Sequence, residues 1–437
     1  MKETILQFGT GNFLRAFICD FINTLNDKGL YDGKIVIVSP TNSKNVDIIN
    51  YSGPAYHLVL RGVRDGEPKE ELKEINSVSR AVNPYADFGA FLDIAKKPDL
   101  RFVVSNTTEA GIAFDPSCRF EDAPAASFPG KLTQLLYCRW REGLSGLVIL
   151  PCELIDKNAD ALREYLLKYA SLWELPEEFI NWIEKENVFC NTLVDRIVTG
   201  YPDDAEKWNA VYGKEDPLLD TAELYHFWAI DGSFENELPL QKAGLNVVWT
   251  NDVPYYKKRK VRLLNGAHTS MVFPALLAGK ESVIDCMEDA DIKTFLEACL
   301  HEIVLPVIGE TSENISFANS VTERFSNPFI KHRLKSIALN SVSKFSVRVL
   351  PTMLEYKEKF GAYPKPMILS LCALIKYYKS NDISDLPENV DFIRNRSLSE
   401  ILDNSDLWGT SLDDMGPDVF ECFAIENIRE AFKWSLS

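Results

Sequence analysis

The chain has 437 residues, of which 46% are hydrophobic and 25% are charged. This composition is typical of a globular protein and excludes a disordered, collagen-like or coiled-coil chain. The net charge of −17, without any long basic stripe, argues against nucleic acid as a partner. The same negative field would repel an anionic substrate at long range, so such a substrate would need a local basic pocket.

Membrane and metal partners find no support in the sequence. No stretch approaches the roughly 20 apolar residues of a membrane span. The N-terminus leads directly into a predicted strand without the apolar segment of a signal peptide, so we expect a cytoplasmic protein. The nine cysteines are scattered and form no CxxC pair, which predicts reduced thiols and no metal site.

The first half of the chain alternates short apolar runs with helical patterns. Helical periodicity covers residues 12–28, 84–97 and 128–140. The apolar runs are bounded by Gly, Pro, Asn or Ser and comprise residues 5–8, 34–38, 101–105 and 146–150. Apolar strands separated by helices are typical of a mostly parallel sheet covered on both faces. We therefore predict an α/β domain over residues 1–253.

From about residue 255 the pattern changes, because helical stretches follow one another with hardly a strand signal. These stretches are residues 260–278, 292–307, 329–344, 350–360 and 366–378. They predict an all-helical C-terminal domain. The Pro254 turn is the best boundary, which gives a second domain over residues 254–437.

A glycine-containing turn, GTGNFLR at residues 9–15, follows the first predicted strand and opens the first helix. A dinucleotide-binding turn lies at this position, since amides at the helix start face the pyrophosphate. Leu14 stands where the third glycine is expected, so a tight turn without a ligand remains an alternative. Residues 38–42, after the second strand, contain neither a carboxylate for the ribose of NAD nor an arginine for the 2′-phosphate of NADP.

A second cluster lies in the sequence KKRKVRLLNGAHT at residues 257–269. On an α-helix, Asn265 lies about 140° and His268 about 80° from Lys260, so the three side chains project into one sector. Lysine can transfer a proton, asparagine can donate a hydrogen bond to a developing alkoxide, and histidine can relay a proton. Alternatively, the basic run is a solvated helix start and His268 is a core residue. A buried amide followed by Gly266 inside a helix disfavours that alternative.

Three motifs together resemble the mannitol dehydrogenase family of polyol-specific long-chain dehydrogenases. They are G-x-G-x-F-x-R at residues 9–15, NTLVDRI at 191–197 and K-x4-N-x2-H at 260–268. The resemblance implies a metal-independent oxidoreductase that uses NAD(H) and has a Rossmann-type NAD-binding domain before a helical substrate domain. Further similar segments imply the members that interconvert D-altronate and D-tagaturonate in hexuronate breakdown. A small sugar acid would then be the substrate, and the protein would be a monomer or small homo-oligomer.

The resemblance also implies roles for individual residues. Lys260 would be the acid/base, Asn191 and Asn265 would hold the reacting oxygen, and His268 would orient the substrate or the lysine. The cofactor would be bound by Phe8, Gly9, Thr10, Gly11, Asn12, Phe13, Arg15, Thr107 and Glu109. Beyond the resemblance, we expect Lys344 to meet the substrate carboxylate, with His332, Lys335 or Arg262 as helpers. Alternatively, Lys344 and Lys335 are exposed lysines of a helix.

Two positions depart from the mannitol-specific members as the resemblance aligns them. Gly232 stands near the position of an acidic residue, and its neutrality suits a substrate that carries a carboxylate. Ser336 replaces an arginine, which fits such a substrate less easily. Alternatives are a fructuronate (mannonate), mannitol or arabinitol oxidoreductase of the same family. More distant ones are a silent nucleotide sensor and a zinc hydrolase using His226 and His268, for which no ligand spacing is present.

Overall fold

The structure is a computed structural model that describes residues 1–43, 45–108 and 110–437. The chain divides into two compact units. The α/β unit comprises Met1–Arg61 and Lys69–Val253, and the helical unit comprises Gly62–Pro68 and Pro254–Ser437. The sequence did not indicate that the segment Gly62–Pro68 would group with the helical residues.

A six-stranded parallel sheet forms the centre of the α/β unit, with strand order β5-β2-β1-β6-β7-β8. The order reverses between β1 and β6, which is the switch point of a Rossmann sheet and confirms the predicted fold class. Side chains alternate between two cores, because Ile5 packs on one face while Leu6 and Phe8 pack on the other. The strands are β1 (Lys2–Phe8), β2 (Gly33–Val38), β3 (Tyr56–Arg64), β4 (Glu67–Ile75), β5 (Val78–Val82), β6 (Phe102–Ser105), β7 (Val148–Pro151), β8 (Val188–Phe189), β9 (Thr192–Asp195), β10 (Asp220–Glu223), β11 (Phe227–Asp231) and β12 (Val247–Thr250).

Two three-stranded sheets were not predicted. One has the order β10-β3-β4 and the other β12-β11-β9. The sequence of β4, EPKEELKEI, is charged and mostly exposed, so it lacks the apolar alternation by which strands are detected.

The first predicted helix, residues 12–28, is interrupted. It forms two helices because the carbonyls of Arg15 and Ala16 accept hydrogen bonds from side chains: the Tyr56 hydroxyl at 2.5 Å and Arg196 Nη1 at 2.7 Å. The helices of this unit are α1 (Asn12–Arg15), α2 (Ile18–Asp27), α3 (Asn45–Ser52), α4 (Phe88–Ala95), α5 (Phe128–Arg141), α6 (Asn158–Leu172), α7 (Glu177–Glu186) and α8 (Ala205–Tyr212).

Residues 254–437 of the helical unit form no strand, apart from an isolated bridge between Ser282 and Arg333, which confirms the helical prediction. Its helices are α9 (Val253–Arg259), α10 (Gly266–Leu277), α11 (Val283–Met287), α12 (Ala290–Glu297), α13 (Leu305–Ile308), α14 (Ser312–Phe325), α15 (Leu334–Ile337), α16 (Ser341–Arg348), α17 (Leu350–Phe360), α18 (Lys365–Ser380), α19 (Pro387–Asn395), α20 (Leu398–Asp403), α21 (Ser405–Trp408), α22 (Gly416–Ala424) and α23 (Ile428–Ser435). Two π-helical segments, Lys260–Asn265 and Ala298–Val304, and a 3-10 turn, Asp413–Met415, complete it.

The single helix predicted over residues 329–344 was wrong. The Val283 amide donates to the His332 carbonyl and the Leu334 amide to the Glu281 carbonyl, which holds the first part in an extended form. Asn340, with a φ of +51°, then separates α15 from α16. Within the described ranges, no helix combines the length and apolar character needed to cross a bilayer.

Candidate functional site

The turn between β1 and α1 is shaped by two glycines. Gly9 has a φ of +133°, and a Cβ there would lie 2.8 Å from the carbonyl oxygen of Asn106, after β6. Only glycine accepts this backbone and this contact. Gly11 precedes α1, and a Cβ on it would have no atom of the described residues within 4 Å. The turn therefore leaves open space at the switch point of the sheet, which fits a dinucleotide pyrophosphate.

The side chains of this turn differ in their contacts with the rest of the α/β unit. Thr10 Oγ1 accepts a hydrogen bond from Asn45 at 3.3 Å. Phe13 stacks on Phe17, with ring centroids 5.0 Å apart. Phe8 is fully buried and packs against aromatic rings of α4 and α5, so its side chain belongs to the core and only its backbone borders the turn.

Arg15 is buried beneath the turn and is bonded to residues of the α/β unit. Its guanidinium donates to the carbonyl of Leu218 and to Asn12 Oδ1, both at 2.5 Å, and lies 3.6 Å from Asp220. Burial raises the pKa of Asp220 to about 6. A Cβ on Gly200 would collide with the Asn12 amide, so Arg15 and Gly200 together fix the Asn12 side chain. Arg15 therefore positions the turn through Asn12, and the direct cofactor contact that the resemblance implied stays a prediction.

A buried carboxylate, Glu153, holds the loop after β6. Its Oε1 accepts the Thr107 amide and the Thr107 hydroxyl, both at 2.9 Å, and its Oε2 accepts the Ser105 hydroxyl at 3.0 Å. Burial raises the pKa of Glu153 in spite of these bonds. Sequence reasoning singled out Thr107 and missed Glu153, although an acidic residue two positions after a buried strand was the available signal. Glu109 lies outside the described residues.

Asn191 precedes β9, and its side-chain oxygen is already engaged. Oδ1 accepts the amides of Ala159 at 3.0 Å and Asp160 at 3.2 Å, in the first turn of α6. The amide nitrogen is therefore the atom that can donate to a ligand.

Lys260 and Asn265 are the first and last residues of a π-helical segment, a rare geometry that often occurs at functional sites. The sequence predicted an α-helix here. In a π-turn the hydrogen bond runs from residue i to i+5, so Asn265 lies roughly 50° from Lys260 instead of the roughly 140° of an α-helix. Three α-helical residues later, His268 falls in the same sector. The π-turn thus aligns the three predicted catalytic residues better than the predicted helix would.

Aromatic contacts and one close backbone contact fix this face of the helical unit. The His268 ring stacks on Phe325 at 4.1 Å between centroids and meets the ring of His332 edge-on at 5.0 Å. Burial lowers the pKa of His332, so its imidazole is neutral near pH 7. A Cβ on Gly266 would lie 3.2 Å from the Arg348 carbonyl oxygen, so glycine allows α16 to approach here.

The residues expected to meet a substrate carboxylate differ in the partners that they already have. Arg262 is buried and donates to Thr352 Oγ1 at 2.6 Å and to Glu355 Oε1 at 2.7 Å, so its guanidinium is already paired inside the unit. Lys344 donates to the Ile337 carbonyl at 3.0 Å, and its pKa is lowered by burial and by the nearby Arg348. Ser336 is exposed, and Gly232 has a φ of +113°.

The described residues contain no group of three or more His, Cys, Asp or Glu side chains arranged to hold a metal ion. His226 Nε2 accepts the Asn246 amide at 3.0 Å, which occupies a nitrogen that a zinc site would need.

Comparison with known proteins identifies the family. Residues 3–242 match the mannitol dehydrogenase Rossmann domain, and residues 252–415 match the mannitol dehydrogenase C-terminal domain. The altronate oxidoreductase of Bacillus subtilis (strain 168) is 41% identical over 94% of this chain and 90% of its own length. That of Klebsiella pneumoniae subsp. pneumoniae is 45% identical over 86% of this chain and 80% of its own length.

Solved structures agree in fold. A substrate-free D-sorbitol dehydrogenase has a TM-score of 0.86 at 24% identity, covering 99% of this chain and 95% of its own. The Pseudomonas fluorescens mannitol 2-dehydrogenase, solved with NAD and D-mannitol, has a TM-score of 0.72 at 21% identity, covering 100% of this chain and 94% of its own. The Rossmann domain, the helical domain and the curated relatives together show that the chain belongs to the mannitol dehydrogenase family.

Proposed function

We propose that this protein interconverts D-altronate and D-tagaturonate with NAD(H) as cofactor. The observation that carries the proposal is the 41% identity to an altronate oxidoreductase over 94% of the chain. The glycine turn, with the open space above Gly11, fits a dinucleotide. Residues 38–42 contain neither a carboxylate for NAD nor an arginine for NADP, so this segment does not distinguish the two cofactors. The choice of NAD(H) therefore rests on the family resemblance alone.

Bound NADH supplies the hydride that reduces the ketone carbon of the substrate. In our proposal the Asn265 amide donates a hydrogen bond to the ketone oxygen as that oxygen gains negative charge. Lys260, in the same sector of the π-turn, supplies the proton that completes the alcohol. His268, held between Phe325 and His332, orients the substrate or the lysine. The assignment of Asn191 to the same oxygen stays a prediction.

In the oxidising direction the same groups act in reverse. Lys260 would accept the hydroxyl proton of altronate, Asn265 would continue to hold the oxygen, and bound NAD+ would be the acceptor for the hydride of the carbinol carbon. Neither direction requires a metal ion. The cytoplasmic location and the monomeric or small homo-oligomeric state also stay predictions.

The experiment is NADH consumption with D-tagaturonate, D-fructuronate and D-fructose in parallel assays, repeated with NADPH and with EDTA. We expect turnover of D-tagaturonate with NADH and no effect of the chelator. Turnover of D-fructuronate or D-fructose in its place would overturn the substrate assignment while leaving the family unchanged. Loss of activity in EDTA, restored by a divalent cation, would overturn the metal-free chemistry.

A further inference from the structure

The helical unit contains a half-buried arginine, Arg348, that pairs with no acidic side chain of the described residues. It makes no hydrogen bond or ion pair with any residue in the ranges that the structure describes. Burial lowers the pKa of its guanidinium. By contrast, the buried arginines Arg259 and Arg262 pair with Glu313 and Glu355, each at 2.7 Å. An unpaired and partly desolvated cation destabilises the folded protein, and a bound anion would offset this cost. Arg348 is therefore a candidate anion-binding residue.

The position of Arg348 relates it to the predicted catalytic residues. It ends α16, and its carbonyl oxygen is the atom that a Cβ on Gly266 would approach at 3.2 Å. Gly266 directly follows Asn265, so the last turn of α16 packs beside the residue expected to hold the reacting oxygen. A hexonate extends only a few bond lengths from its reacting carbon to its carboxylate, and a subsite for that carboxylate must therefore lie near Asn265.

A second cation lies one helical turn earlier. Lys344 precedes Arg348 by four residues, which places both side chains on one face of α16. Burial and the nearby Arg348 lower the pKa of Lys344, whereas the Asp385 carboxylate raises it. Two like charges on one half-buried face repel each other, and an anion between them would relieve that repulsion.

We propose that Arg348 binds the carboxylate of the substrate, with Lys344 beside it, and so selects sugar acids over neutral ketoses. The proposal rests on the proposed function, because it names the subsite for the substrate that function requires. A planar guanidinium can donate two parallel hydrogen bonds to a carboxylate, whereas a lysine offers a single ammonium. The other expected helpers suit this role less well, since Arg262 is already paired and His332 is neutral.

The test compares three variants with the wild-type enzyme. Arg348→Gln removes the charge, Arg348→Lys keeps it without the planar fork, and Arg333→Gln removes an exposed arginine of the same unit as a charge-matched control. For each, kcat and KM are measured with D-tagaturonate and with D-fructose. The stabilisation of each protein by D-altronate is measured by thermal unfolding, as a binding readout that needs no turnover.

We expect Arg348→Gln to raise KM for D-tagaturonate at least about tenfold, with kcat changed less than KM, and to lose the stabilisation by D-altronate. Arg348→Lys should recover part of the affinity, and Arg333→Gln should resemble the wild type. Any weak activity with D-fructose should not fall in Arg348→Gln. A merely structural arginine, which favours the helix C-terminus, would lower the unfolding temperature without this separation between substrates.

Three results overturn the proposal, and they can be told apart. If the wild type reduces D-tagaturonate and Arg348→Gln keeps the wild-type KM, Arg348 is not the carboxylate ligand and the proposed function stands. If the wild type reduces only D-fructose, the proposed function fails, and the carboxylate subsite fails with it. Equal losses with both substrates in Arg348→Gln also contradict a role in selecting the carboxylate.

Discussion

Removal of the Glu153 carboxylate should loosen the loop after β6 and weaken cofactor binding. In Glu153→Ala, the Thr107 amide and the Thr107 and Ser105 hydroxyls lose their acceptor. The hydroxyls can turn to other partners, but the amide cannot, and loss of the acceptor of this partly buried amide costs about 1–3 kcal/mol. With the cavity left by the side chain, we expect a loss of about 3 kcal/mol in the free energy of unfolding.

Glu153→Gln is the matched control. Its carbonyl oxygen can keep both bonds to Thr107, and its neutral amide avoids the desolvation that raises the pKa of the carboxylate. We expect this variant to lose about 1 kcal/mol or less.

The measurements are thermal unfolding and KM for NADH. A loss of about 3 kcal/mol lowers the unfolding temperature by roughly 6–12 °C in a unit of this size. The KM for NADH should rise severalfold in Glu153→Ala and little in Glu153→Gln. If Glu153→Ala unfolds within about 1 °C of the wild type and keeps its KM, the assignment of Glu153 as the residue that holds this loop is wrong.

Three further predictions concern other parts of the molecule. Lys260→Ala should lower kcat about 10²- to 10⁴-fold, whereas Lys257→Ala should not, and an alanine variant within tenfold of the wild type would remove Lys260 from the acid/base role. Gly200→Ala (φ +82°) should raise KM for NADH because its Cβ collides with Asn12. Gly213→Ala (φ +74°) is the control, since its Cβ has no such neighbour among the described residues and should lower only the stability. Equal KM values for the two variants would contradict this account. Burial lowers the pKa of His226 to about 4, and its Nε2 accepts the Asn246 amide, so the folded protein keeps this imidazole neutral while the unfolded chain protonates it near pH 6.5. The contribution of neutral His226 to the free energy of unfolding should therefore be fully present above about pH 6.5 and should be lost as the pH falls toward 4. His226→Gln should weaken this pH dependence of thermal unfolding. An unchanged dependence would exclude His226 as its source.

The sequence predicts those parts of the fold that local patterns encode. The apolar runs that become β1, β2, β6 and β7 are buried on both faces, so their composition alone marks them as central parallel strands. The charged strand β4 and the break between α1 and α2 depend on distant partners, such as Tyr56 and Arg196, which no local pattern contains.

The candidate site likewise contains residues that local sequence patterns predict and residues that only the folded chain distinguishes. Lys260, Asn265 and His268 were predicted from chemistry and spacing, but the π-turn that aligns them was not, because an extra residue in a helical turn leaves no mark in apolar periodicity. Arg348 and Glu153 were missed because what distinguishes them is burial and the presence or absence of a partner. Both properties appear only when the chain is folded.

The measurement that tests the central claim most directly is the reduction of D-tagaturonate by the purified wild-type enzyme, with the product identified by NMR. We predict that one D-altronate forms for each NADH consumed, in the presence of EDTA. No consumption of NADH with D-tagaturonate, by an enzyme that reduces D-fructuronate or D-fructose under the same conditions, would contradict the proposed function.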